Sequence, residues 1–486
     1  MGFTDAVAGR GTPAQRGIRP AAGRLAGRLA GRCVPSVFVC LVVLLAAGSA
    51  WGQSARVDYT RFTLPNGLTV LLHEDRTTPQ VSVNMWYHVG SGREKPGRTG
   101  FAHLFEHLMF EGSAHVPEGA FDTWTEAAGG ENNGSTNGDR TNYWIDLPSN
   151  ALELALFLES DRMGYLLEAM SPERVDGQRD VVKNERRQSY ENRPYGRAYM
   201  TLLENLYPPD HPYHWPTIGS MEDLSAAGYQ DVVDFFRAYY GPGNASLAIA
   251  GDIDVEETKR LVEKWFGEIP PGPPVLPVEA PPAVLGEEKR VTLEDRVQLP
   301  RLYMAWLTPP FAQPGDPEAT VLAELLAGGK NARLYKRLVY DLQIAQDVVA
   351  FQNAKQLASE FIVWATARPG VTLQQLQAVI DEELARLRAE PPSERELQRV
   401  LNQYEASFLN GLQEVGGFGG KADLLNTYYF YTGDPGYFAE ELSRYRALTP
   451  QAVQAAAQAY LRDDARVVLG IVPEASPGRQ VVSPGE

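Results

Sequence analysis

The sequence predicts an α+β fold built from two similar halves, each an antiparallel sheet packed with helices. Three observations predict it. Short strand-like runs alternate with longer stretches of helical periodicity along the whole chain. Seven prolines fall between Pro270 and Pro282, so this segment forms neither helix nor central strand and divides the chain near its middle. The two parts also end alike. Asp231 to Tyr240 reads as a helix followed by the apolar run Ala245 to Ile249, and Gln451 to Tyr460 as a helix followed by Ala465 to Leu469. At one constant offset Val233 matches Val453, Tyr240 matches Tyr460 and Ala245 matches Ala465, which fits duplication of one unit. The expected domains are therefore 57–269 and 285–475, joined by a proline-rich linker over 270–284, with a loose tail at 476–486.

The N-terminus reads differently. Residues 1–50 carry six arginines, then an apolar run from Val34 to Ala47, then Gly48-Ser49-Ala50. A charged region, a short apolar core and small residues at its end read as a secretory signal, so the protein is expected outside the cytoplasm, in a periplasm or the medium. The apolar run is too short to span a membrane comfortably, and no later stretch approaches that length. Both cysteines, Cys33 and Cys40, lie in this leader, which removes disulfides and thiolate chemistry from the rest. The whole chain carries −16, and the basic leader leaves the remainder more acidic still. Such a chain is a poor nucleic-acid binder and has no basic patch for a membrane surface.

In the first half, Phe62 to Leu72 reads as a hairpin around Pro65-Asn66-Gly67, and Val81 to Tyr87 as a further strand. Thr99 is the expected N-cap of the next helix, which Gly112-Ser113 end. Ala120 to Ala128 reads as a short helix and Thr141 to Leu147 as a strand. Ala151 to Met170 reads as a helix with a buried apolar face, and Glu173 to Asn192 as a more charged one.

The helix after Thr99 contains His103-Leu104-Phe105-Glu106-His107. Histidines four apart project from one helical face one turn apart, which suits two ligands of a single metal ion. Glu106 shares that face and can reach a metal-bound water. The order His-x-x-Glu-His is the reverse of the commoner zinc-hydrolase order His-Glu-x-x-His. A catalytic zinc needs a third protein ligand. His73, His88, His115, His211 and His214 read as surface or loop residues, so a carboxylate is expected. Glu185 stands out on the charged helix because Val181 and Val182 lie four and three residues before it, on what would be a buried stripe. A buried ion pair with a neighbouring arginine is the alternative reading of the same residue.

His103-x-x-Glu106-His107, followed by Glu185 within Arg179-Asp180-Val181-Val182-Lys183-Asn184-Glu185, resembles the pitrilysin/insulysin metallopeptidases. The smaller two-domain subunits related to mitochondrial processing peptidase are the type most similar. Asn133-Gly134-Ser135-Thr136, Asn192 to Gly196, His211-Pro212-Tyr213 and Gly328-Gly329 with Arg333-Leu334 carry the resemblance further. It implies two such domains enclosing a chamber and one Zn2+ per chain on His103, His107 and Glu185. Glu106 is then the general base, and Asn133 to Thr136 a substrate-binding edge strand to which a peptide adds by main-chain hydrogen bonds. Gly134 stands where the family commonly has alanine, a departure expected to loosen that strand. Two further departures concern the second half. Single-chain members commonly carry an arginine and a tyrosine there, and the matching positions here are Val339 and Gln346. Gln178, seven residues before Glu185, stands where some relatives have an additional acid. The expectation is a zinc endopeptidase acting on peptides or unfolded chains, with a non-catalytic family subunit or a second copy as partner. The competing reading is a non-catalytic peptide-binding or scaffold subunit of a heterodimer. Gly416 to Gly420 is expected to be either a substrate-contacting loop or a hinge.

Overall fold

The computed structural model describes residues 56–474; the leader with both cysteines, and the tail, lie outside the described residues. The first half builds a six-stranded sheet from β1 (Thr60–Thr63), β2 (Thr69–Glu74), β3 (Gln80–Tyr87), β4 (Glu131–Thr136), β5 (Thr141–Pro148) and β6 (Ala245–Gly251), in the order β1-β2-β6-β3-β5-β4. The second half builds a five-stranded sheet from β7 (Lys289–Asp295), β8 (Arg301–Thr308), β9 (Ala345–Asn353), β10 (Ser359–Ala367) and β11 (Val467–Pro473), in the order β7-β11-β8-β10-β9. Without β1 the two orders are the same, strand for strand. Both sheets are antiparallel except for one pair each, β2 with β6 and β7 with β11. The final strand of each half arrives after a long helical excursion, and such a connection can return in either direction.

The helices of the first half are α1 (Phe101–Leu108), α2 (Ala120–Ala127), α3 (Leu152–Ala169), α4 (Pro172–Arg186), α5 (Ala198–Leu206), α6 (Met221–Ala226), α7 (Tyr229–Tyr239) and α8 (Val255–Phe266). Those of the second are α9 (Asp316–Ala327), α10 (Leu373–Ala389), α11 (Glu394–Gly411), α12 (Lys421–Thr432), α13 (Phe438–Arg446) and α14 (Pro450–Tyr460). Residues 270–288 between the halves form neither helix nor strand. The offset that aligns α7 with α14 fails at the strands, because β6 begins at Ala245 whereas β11 begins at Val467, two residues beyond the matched Ala465.

Each sheet has one apolar and one polar face, and both faces are buried. On the first sheet Val81, Val83 and Met85 of β3 face the core of their own half, whereas Ser82, Asn84 and Trp86 face the other way. An alternating strand of this kind ordinarily turns its polar side to water. Here α12 of the second half covers that side. Asn426 Nδ2 donates to the Asn84 carbonyl at 2.9 Å, Ser246 Oγ donates to Asn426 Oδ1 at 2.7 Å, and Asp423 Oδ1 accepts from Trp86 Nε1 and Asn142 Nδ2, each at 3.0 Å. The second sheet is covered in the same way by α5 of the first half. Glu360, on β10, accepts from Tyr207 at 2.7 Å and from Asn353 at 2.7 Å, and pairs with half-buried Lys355. The halves thus exchange a helix, and the hydrogen bonds at each exchange satisfy polar groups that are costly to bury alone.

Candidate active site

Helix α1 places three chemical groups on one side because its apolar residues occupy the other. Phe101, Leu104, Phe105 and Leu108 recur at the spacing of one helical face and are buried. Phe105 stacks on Tyr240 at 5.0 Å and on Phe235 at 5.2 Å. The opposite face carries His103, Glu106 and His107. The helix is shorter than the sequence suggests, ending at Leu108, well before Gly112. Its N-cap is Gly100 instead of Thr99. Gly100 has φ +90°, and a Cβ there would lie 2.8 Å from the Ile218 carbonyl oxygen. Thr99 is engaged elsewhere, its backbone N–H and hydroxyl both donating to Asp223 Oδ2. The cap comes from buried Glu94, whose carboxylate accepts from the N–H groups of Gly100 at 2.9 Å and Ala102 at 2.8 Å. Burial pushes the Glu94 carboxyl up to about 8, with those N–H groups working the other way.

Helix α4 brings the third group. Ser171 caps it by accepting from Arg174 N–H, Pro172 opens its first turn, and Val175 and Val182 are buried at a spacing of seven. Val181, expected on the buried stripe, is 45% exposed, so Val175 and Val182 set the register. Glu185, three residues on, meets α1. Its Oε2 lies 3.3 Å from His107 Nε2 and 3.6 Å from His103 Nε2. Neighbouring Arg186 turns to Glu191 and the Gly219 carbonyl, so the alternative of a Glu185–arginine pair is not what forms. One ligand atom from each of His103, His107 and Glu185 lies within 4.8 Å of the other two, and this is the one such metal-ligating cluster among the described residues.

The arrangement fits zinc. Two ligands at tetrahedral angles around zinc, bonded at about 2.0–2.1 Å, stand roughly 3.4 Å apart, close to the two His–Glu separations. Two imidazoles and a carboxylate also form a recurrent catalytic donor set that leaves one position open. The charges agree. Burial lowers the pKa of His103 and favours its neutral, ligating form. Burial works in the same direction on His107, but its hydrogen bond with Glu185 and the Glu106 carboxylate outweigh it and raise the pKa. The Glu185 carboxyl lies below its ordinary range because the two histidines outweigh the opposing effect of burial. Behind His107, Gln178 hydrogen-bonds to the imidazole and donates from Nε2 to Glu111 Oε1 at 2.6 Å. The amide at position 178 is thus backed by a carboxylate one residue further out.

Of the four residues expected to bind substrate, Asn133, Gly134, Ser135 and Thr136 all lie on β4, at the edge of the first sheet beside α1. Their side chains do different things. Thr136 Oγ1 donates to Glu106 Oε2 at 2.6 Å and so fixes one carboxylate oxygen of the base. Ser135 Oγ donates to Asn142 Oδ1 at 2.6 Å, and Asn133 Oδ1 accepts from the Gly134 N–H at 2.8 Å. Gly134 packs tightly against the base: a Cβ there would lie 3.2 Å from Glu106 Cγ and 3.1 Å from Tyr143 Cδ1.

The other histidines take no part in the cluster, although they are not all at the surface. His73 and His211 are buried, and His115 pairs with Asp161 at 2.6 Å. In the second half Val339 packs against the core of its own sheet, whereas Gln346 is exposed at a break in the register between β9 and β10. Neither side chain offers a charge or a phenol.

The profile described as Insulinase (Peptidase family M16) matches residues 69–209, and the one described as Peptidase M16 inactive domain matches residues 226–404. Zinc protease PqqE of Helicobacter pylori is 30% identical over 382 residues, covering 77% of this chain and 84% of the relative. The probable mitochondrial-processing peptidase subunit beta of Arabidopsis thaliana is 24% identical, covering 71% and 66%. The crystal structure of a protease from Helicobacter pylori superposes with a TM-score of 0.79 at 26% identity, covering 86% of this chain and all of that one. The chain belongs to peptidase family M16, the insulinase/pitrilysin family.

Proposed function

We propose that the chain is an exported zinc endopeptidase that hydrolyses short or unfolded polypeptides, with one zinc held by His103, His107 and Glu185. The observation that carries this reading is the meeting of Glu185 with the two α1 histidines, beside a second, separately oriented carboxylate, Glu106. When bound, the metal lowers the pKa of its water to about 7 and polarises the scissile carbonyl. Glu106 takes the proton from that water and returns it to the departing amine. Thr136 leaves Glu106 Oε1 free for this transfer by engaging Oε2. The edge strand β4 binds the peptide backbone, which favours extended chains over particular sequences.

Val339 and Gln346 leave this chain without the second-half groups that clamp substrate in single-chain members, so a family partner subunit supplies them. The basic, then apolar leader directs export; among the described residues no helix is long and apolar enough to cross a membrane. A scaffold subunit without activity is the rival reading. It gives no reason for a carboxylate held beside the histidines by Thr136.

The test is cleavage of an unstructured quenched peptide by the zinc-loaded chain, alone and with a family subunit that carries the arginine and tyrosine. Activity lost on chelation and restored by zinc is expected, and a partner-dependent increase would assign the clamp. Stoichiometric zinc with no cleavage in either setting would favour the scaffold.

A further inference from the structure

The loop Gly416 to Gly420, between α11 and α12, is fixed to the sheet of the other half. A Cβ on Gly416 would lie 2.2 Å from Asp146 Oδ1 on β5, so the glycine backbone lies close against that side chain. Gly419 N–H donates to Asp423 Oδ2 at 2.9 Å, and the other oxygen of Asp423 receives Trp86 and Asn142 from the first sheet. Held in this way, the loop sets Phe418 edge-on against Trp144, at 5.7 Å between centroids and 89° between planes. Trp144 is buried, yet Phe418 remains 46% exposed. A large aromatic ring fixed on both flanks and half open to solvent marks a contact surface.

The position of that ring is set by register. Trp144 pairs with Asn133 and Tyr143 pairs with Gly134. Asn133 and Trp144 therefore share the sheet face that carries Phe418, whereas Gly134 and Thr136 share the face that carries Glu106. A peptide added at β4 would send alternate side chains to these two faces. Adjacent strands lie about 4.8 Å apart, so the added strand stands about 10 Å from β5, within the combined span of the Trp144 and Phe418 rings.

We propose that Phe418, resting on Trp144, forms an apolar subsite that selects large apolar side chains at alternate positions of the bound peptide, on the face away from the metal helix. The subsite rests on the peptide-binding role of β4 proposed above. It makes Phe418 a specificity residue donated by the non-catalytic half to the catalytic one, and it takes the substrate-contacting reading of the loop over the hinge.

The experiment uses quenched peptides with an alanine background and a single phenylalanine moved through every position. With the family partner subunit present, they are cleaved by the full chain, by Phe418→Ala and by Phe418→Leu. The wild type should favour phenylalanine at positions of one parity. Phe418→Ala should reduce that preference about tenfold, Phe418→Leu should retain most of it, and positions of the other parity should respond equally in all three proteins. Loss of activity by one common factor at every position, or a preference untouched by Phe418→Ala, would overturn the subsite. The same peptides binding to zinc-loaded Glu106→Gln, followed by fluorescence anisotropy, separate this idea from the proposed hydrolysis. Parity-dependent binding without cleavage by the wild type would remove the hydrolysis and leave the subsite. Cleavage without dependence on Phe418 would remove the subsite alone. Neither binding nor cleavage would remove both.

Discussion

Thr136 and Gln178 each hold one functional side chain from outside the metal cluster, and each has its own expected consequence. Thr136→Val keeps the shape of the strand and removes the donor to Glu106 Oε2. The zinc content should stay that of the wild type while kcat falls about tenfold, measured by steady-state cleavage after metal analysis. Gln178→Ala removes the link between His107 and Glu111. Zinc affinity should fall about ten- to a hundredfold, read by competition with a chelating indicator, because groups that orient a metal-ligating histidine ordinarily contribute that much. At this scale the sequence is legible where chemistry follows one helical period. His103, Glu106 and His107 lie on one turn of α1 and are found from spacing alone. The sequence points to Glu185 partly through Val181, which is exposed, so only half of the stripe expected before it is buried. The hydrogen bonds of Thr136 and Gln178 join residues 30 and 67 positions apart, and no local pattern signals them.

Among the elements, α1 depends on a carboxylate that no cap pattern predicts. Thr99 has the residue type and position of an N-cap, but Asp223 engages its hydroxyl, and Glu94 reaches across from the preceding turn. Glu94→Ala should destabilise the fold by about 1–2 kcal/mol in chemical denaturation, the scale of a lost cap. It should also weaken zinc binding, since the first turn of α1 carries His103. The charged segment Glu159-Ser160-Asp161-Arg162 of α3 is also buried, with Arg162 lying 4.1 Å over the Tyr143 ring and bonded to Glu159. A reading of charge as exposure fails there because the two ions pair with each other against the Tyr143 ring. Strand existence in the first half is more legible, since alternation and Pro-Asn-Gly are local. The parallel pairing of each final strand was not, because pairing direction is settled by contacts across the sheet.

For the whole molecule, the exchange of α5 and α12 makes each half part of the other's fold. The duplication could be read from the linker and the matching helix-to-strand ends, but the exchange could not, because the buried polar residues look like those of an exposed sheet face. Asn426→Ala should cost about 2–4 kcal/mol in denaturant unfolding, since it leaves Asn84 and Ser246 without their shared partner. Asp146, beside the Gly416 loop, gives a pH signature. Burial pushes its carboxyl up to about 6, from an ordinary value near 3.8, against hydrogen bonds from Ser82 and Gly417. A carboxyl raised in the folded state binds its proton more tightly there than in the unfolded chain. Its contribution to stability is therefore greatest below about 4 and declines as pH rises through about 6, by an amount on the order of 2–3 kcal/mol. Asp146→Asn should accordingly lose this dependence and gain stability over the wild type between pH 4.5 and 7.5 in paired thermal melts.

The central claim is that four side chains from α1 and α4 make a hydrolytic metal site with Glu106 as its base. The most direct measurement is the peptide-cleavage rate of the wild type and of Glu106→Gln at equal, measured zinc content, each with the partner subunit present. One zinc per chain is expected in both proteins, with a rate at least a hundredfold lower in the variant. Equal rates in the two proteins, or a wild-type chain that binds no zinc, would contradict it.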